Sequence, residues 1–161
     1  LVWMKRVEVA DGSFLVAVLT GPAPRAFSDK AQFVDFVKQT KQSNPDPQRF
    51  RVHRNTLEEV AEPGRECVAY DTAIEDQAKK ADDGSSLILE VTGLSCLHPD
   101  DRSRFFDIQF SSRHPAGVDT RRSELDDGAS FLEGFRFLAP PADGNWALGD
   151  RPLEIPEDES T

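Results

Sequence analysis

Apolar and polar residues alternate with a period of two along much of this chain, and with a helical period along one long stretch. In "KRVEVADGSFLVAVLTGP", Val7 and Val9 alternate with Arg6 and Glu8, the pattern of a half-buried strand. Asp11-Gly12 is a favoured hairpin turn pair. The strand after it is apolar on both faces, which predicts an internal position in a sheet. "GPAP", 21–24, ends it, because proline cannot donate to a ladder. "SDKAQFVDFVKQTKQSNP", 28–45, predicts a helix with Ser28 as N-cap and Asn44-Pro45 as the stop. Phe33, Val34 and Val37 share one stripe of it, and Phe36 widens that stripe.

Alternation resumes after the helix. Phe50 and Val52 point one way and Arg49, Arg51 and His53 the other. "ECVAYDTAIED" predicts a strand running into a short helix, "TAIEDQAKKA". "SLILEVTGLSC" predicts a central strand, with "RFFDIQFSSR" as its hairpin partner across "LHPDD". "HPAGVDTRRSELDDG" reads as polar loop. "ASFLEGFRFL", 129–138, carries Phe131, Leu132, Phe135 and Leu138 at helical spacing. From 139 to 161, proline, glycine and acids predict an extended acidic tail, pinned by Trp146 and Leu148, with "PEDEST" disordered. Neither a repeat nor a dividing linker is visible, so residues 1–138 are expected to form one domain. The expected class is α+β: a twisted antiparallel sheet of about five to seven strands, with one or two helices, 28–42 and the closing segment, packed on one face.

Composition narrows the function classes. With 29 acids against 19 bases, the net charge is −10. Such a surface repels polyanions, so neither nucleic acid nor an anionic membrane is an expected partner. No run approaches the roughly 20 apolar residues of a membrane span. The chain opens on Leu1, so a signal peptide, lipoprotein anchor or tag is expected to have stood upstream.

Candidate chemistry centres on "TGLSCLHPDD", 92–101. Cys96 as a thiol nucleophile would need a base such as His98 close by. At i+2 in an extended segment the two lie about 6.6 Å apart at their Cα atoms, too far for a ready ion pair. Zinc would need three or four ligands, and Cys67, Cys96 and His98 with an aspartate would converge only through folding. Pairing of Cys67 with Cys96 is the reading preferred among these. The count is even, both residues fall on predicted strands, and closing a loop of roughly 30 residues would contribute about 3.5 kcal/mol in the chain-entropy model. Disulfides persist in oxidising compartments, which points to export. Arg49, Arg51 and His53 form the one clustered basic face, able to seat a carboxylate or phosphate. His98, Asp100 and Asp101, with His53, are the candidate ligands of a metal-assisted hydrolase. Motifs for phosphate loops, dinucleotides, serine hydrolases and zinc proteases are missing, so no cofactor is expected.

"GRECVAYDT", "EVTGLSCLHPDD", "FDIQFSSRHP" and "FLEGFRFL", spread over residues 64–138, resemble a group of small bacterial envelope proteins, often lipoproteins. That group shares a G-x-x-C-x-x-Y strand, a G-x-x-C-x-H-P strand end, an S-x-R strand end and a closing F-x-x-G segment. The resemblance implies that Cys67 pairs with Cys96, and it carries no catalytic residues to transfer. The order hairpin, helix, antiparallel strands, closing helix also resembles the PsbP/Mog1-like sandwich. The expectation is a non-enzymatic periplasmic or lipoprotein-type accessory module, anchored or secreted, that binds another envelope protein or a small ligand. The metal-assisted hydrolase is the alternative.

Overall fold

The computed structural model describes residues 2–9, 12–42, 46–60, 66–118, 122–135 and 137, with residues 2–9 and 122–124 described by backbone only. The elements are β1 (Val2–Val9), β2 (Gly12–Pro22), α1 (Lys30–Gln42), β3 (Phe50–Glu59), β4 (Cys67–Lys80), β5 (Ser86–Leu97), β6 (Arg104–Pro115) and α2 (Arg122–Gly134). All six strands join one antiparallel sheet in the order β1-β2-β6-β5-β4-β3. β3 to β6 form a meander that returns across the sheet until β6 lies beside β2. Between β2 and β3 the chain crosses from one side of the sheet to the far edge by way of α1. The sequence expectations for Asp11, for Asn44-Pro45, and for Trp146, Leu148 and the rest of 139–161 lie outside the described residues.

Register sorts the side chains onto two faces. Cys67, Cys96 and Phe106 are directly opposite one another on β4, β5 and β6, as are their neighbours Val68, Ser95 and Asp107 on the other face. Phe27, Phe33, Val34 and Val37 of the α1 segment pack on Val68, Leu97 and Phe105. Phe131, Leu132 and Phe135 of the α2 segment pack with Cys67, Cys96, Ile108 and Phe106 on the opposite side. The expected fold class is therefore corrected. The chain is mostly antiparallel sheet, and its two helices lie on opposite faces instead of sharing one. The physical reason is local. Near the disulfide, consecutive residues of β4, β5 and β6 are apolar, so both faces of that end must be removed from water.

Three further expectations change. The cap of α1 is Asp29, not Ser28: its carboxylate accepts the Gln32 N–H at 2.9 Å and the Ser28 hydroxyl at 3.1 Å. That bond from Gln32 holds the Asp29 carboxyl below its usual range. The "TAIEDQAKKA" segment stays in β4 and does not turn helical. Its helix-favouring composition is overridden because β3 and β5 pair with it on both sides. The "RSELDDG" half of the polar loop is the first half of α2. There Gly128 faces the Phe110 ring, and a Cβ built on it would stand 2.4 Å from Phe110 Cγ. Only glycine lets the helix come this close.

Candidate functional site

Cys67 and Cys96 are register partners on β4 and β5, buried, with sulfurs 2.11 Å apart. No cysteine is free, so neither sulfur is available as a nucleophile or a zinc ligand. A joined pair fits a secreted protein. Arg102 reinforces this end. Its guanidinium forks onto Glu66 at 2.8 and 2.9 Å and its Nε donates to the Phe27 carbonyl at 2.8 Å. The loop before β4 is thereby tied to the loop before α1.

Of the residues marked for a metal, His98, Asp100 and Asp101 are built into the β5–β6 turn, and His53 lies on β3. His98 Nδ1 accepts the Asp100 N–H at 3.1 Å, and its ring stacks 5.8 Å from Phe106 and 5.5 Å from Phe137. Asp101 accepts the Ser103 hydroxyl and N–H and pairs with Arg104 at 3.2 Å. Those bonds from Ser103 lower its carboxyl's pKa. Among the described residues, no group of three His, Cys, Asp or Glu side chains is arranged to hold a metal ion.

The basic cluster is divided. Arg49 forks onto Asp76 at 3.1 and 2.7 Å, and this guanidinium depresses the Asp76 pKa to about 2. Arg51 and His53 both turn to Glu75, at 3.6 and 3.1 Å. Arg49 stands just before β3, whereas Arg51 and His53 lie within it. Each of the three basic side chains thus faces a carboxylate of this chain.

Polar groups collect instead beneath the end of α1. Tyr70 donates to Asp107 Oδ1 at 2.5 Å, Ser95 donates to Asp107 Oδ2 at 3.0 Å, and Lys41 Nζ lies 2.6 Å from the same oxygen. Lys41 also sits over the Tyr70 ring, 3.9 Å from its centroid. Gly93 makes room for that ring, since a Cβ there would meet the Tyr70 hydroxyl at 2.5 Å. Burial, with the Asp107 charge alongside, pushes the Tyr70 hydroxyl's pKa far up, so it remains a donor at all physiological pH. Asn55 donates to the Lys41 carbonyl at 3.1 Å and completes the anchorage of the helix end.

Beyond this cluster α1 ends, and the sheet face it covers continues without it. Val52, Ile74, Leu87 and Leu89 line a hollow of about 170 Å³ that also meets Lys41, Asn55, Asp76 and Arg113. Next to it, toward β2, Leu15, Leu89 and Val91 floor a second hollow of about 360 Å³, with Ser13, Ser111 and again Arg113 on its rim. The apolar residues there are only partly buried, and Val52 is 42% exposed. Arg113 is partly buried, and among the described residues its guanidinium has neither a hydrogen bond nor an ion pair. Sequence reasoning quoted it only as the end of the S-x-R pattern. The missed signal was a cation on the same face as Leu87, Leu89 and Val91, which becomes visible only once β5 and β6 are in register.

On the opposite face a wider hollow, about 620 Å³, lies beside α2 and is lined by Glu58, Asp71, Leu94, Leu132 and Glu133 among others. Arg54 there bridges Asp71 at 2.8 Å and Glu90 at 3.2 Å, and His114 Nε2 lies 3.4 Å from Glu90. Among the described residues, no helix is long and apolar enough to cross a membrane. Comparison of the chain with family models, with curated proteins and with solved structures finds no match.

Proposed function

We propose that this chain is a non-enzymatic, exported binding module, periplasmic or lipoprotein-type, that takes a small amphipathic ligand on the uncovered half of its α1 face. One observation carries the reading. Leu15, Val52, Ile74, Leu87, Leu89 and Val91 form a continuous apolar floor beside the end of α1, partly open to water. Contiguous apolar surface of this kind is costly on a free monomer and is typical of a ligand surface. The joined cysteines and the envelope-protein pattern of residues 64–138 support the compartment.

Nile red, a neutral dye whose emission shifts to the blue in apolar surroundings, tests the surface directly. The native chain is expected to bind it, with Leu89→Asp and Val52→Asp each weakening binding. Val52 is exposed at the edge strand, so its variant folds even where the Leu89 variant does not. A dye signal absent from the native chain, or unchanged in a folded Val52→Asp variant, overturns the reading. For the compartment, thiol titration of denatured, unreduced protein is expected to count no free thiol.

A further inference from the structure

We propose that the ligand is an acyl carboxylate, an apolar chain of medium length whose single carboxylate is seated on Arg113 and whose chain lies along the leucine floor. The proposal rests on the reading of this surface as a binding site and adds the chemistry of its occupant.

Arg113 is placed between the two hollows. Its register partners are Leu89 on β5 and Ser13 on β2, so its side chain emerges in the middle of the floor and borders the space on both sides. A guanidinium that has lost part of its water and found no partner is held at a cost, and an anion arriving there removes that cost. Among the described residues, the other charged groups lining the two hollows are already neutralised. Asp76 is held by Arg49 at 2.7 Å and Lys41 by Asp107 at 2.6 Å. Among the described residues lining the two hollows, Arg113 is thus the charge left unpaired, although the chain as a whole carries −10.

One guanidinium fork matches one carboxylate in bidentate geometry, whereas a phosphate dianion would keep about half its charge uncompensated. The hydroxyls of Ser13 and Ser111 stand in the same hollow as Arg113 and supply further donors to a carboxylate. The body of the ligand must be apolar, because Leu15, Ile74, Leu87, Leu89 and Val91 are what it would touch. A second copy of this chain is a poorer occupant. Stacking the same patch about a twofold axis would bring two unpaired Arg113 side chains toward each other.

Calorimetric titration of the full chain with decanoate, decanol and decylammonium, all below micelle-forming concentrations, tests this. Decanoate is expected to bind at least about tenfold more tightly than decanol, the usual gain from one charge-assisted contact. Decylammonium is expected to bind most weakly. Arg113→Gln should bring decanoate down to the level of decanol, and Arg113→Lys, which keeps the charge but loses the fork, should fall between. Because the Arg113 guanidinium holds no partner among the described residues, both variants are expected to melt at the native temperature. If Arg113→Gln fails to fold, the native chain's preference for decanoate over decanol and its loss at high salt decide the matter alone. Equal affinity for decanoate and decanol, or an Arg113→Gln variant that binds decanoate as the native chain does, overturns the carboxylate assignment. Nile red binding without decanoate binding defeats this inference alone, whereas failure of both defeats the surface reading beneath it.

Discussion

The two halves of the α1 face are built from the same kinds of residue and end in different states. At the disulfide end, Val68 and Leu97 meet Phe27, Phe33, Val34 and Val37, and the contact is dry. At the other end, Leu15, Ile74, Leu87 and Leu89 stand on the same strands or their neighbours and keep part of their surface in water. Length explains the difference. α1 has 13 residues and so spans about 20 Å, whereas β4 has 14 and reaches about 45 Å. Even aligned with the strands, the helix covers less than half of them. Apolar pattern tells which residues prefer to be buried. Only the reach of the covering element tells which of them are.

The contrast yields graded predictions for urea unfolding. The largest effect is expected in the covered half, where Phe33→Ala removes a ring with no exposed surface, at a cost of about 3–5 kcal/mol. Replacing Cys67 and Cys96 together by alanine comes next, at about 3.5 kcal/mol, because the loop they close no longer limits the unfolded chain. Lys41→Met attacks the boundary between the halves. It leaves the nearly buried Asp107 carboxylate without its cation, at a cost of about 2 kcal/mol. A companion Asp107→Asn change should return part of that loss. In the open half, Leu89→Ala is expected to cost less, about 1–2 kcal/mol, since part of its surface is still in water. If Leu89→Ala proved as damaging as Phe33→Ala, the open half would be a covered one.

The smallest effect concerns pH. Asp76 has its pKa depressed from 3.8 to about 2, chiefly by the Arg49 fork. The pair therefore adds stability that is fully present above pH 3.8 and is lost as pH falls through about 2. Unfolding free energy followed from pH 5 to pH 2 should decline, and the decline should be shallower in Arg49→Gln.

Much of this architecture is legible in the residues themselves. The β5–β6 hairpin, the α1 stripe of Phe33, Val34 and Val37, and the pairing of Cys67 with Cys96 all follow from local alternation and count. The opening half of α2 was not legible, because "RSELDDG" has a polar face and a glycine that only make sense against the Phe110 ring. The end of β4 read as helix because alanine, glutamine and lysine favour one, until neighbouring strands claim their backbone.

The basic cluster shows the same limit. Arg49, Arg51 and His53 alternate along the sequence as one patch, yet Arg49 turns to Asp76 and the other two to Glu75. Arg113, which the sequence does not single out, is a partly buried guanidinium without a partner among the described residues.

Local pattern determined where this chain extends, where its first helix lies and which sulfurs meet, because those depend on neighbours a few residues away or on a count of two. The tertiary structure decided that the helices take opposite faces, that the basic cluster is spent on carboxylates, and that an unpaired guanidinium stands in an open apolar floor. Those outcomes depend on register between strands and on how far one helix reaches, quantities that no stretch of sequence contains.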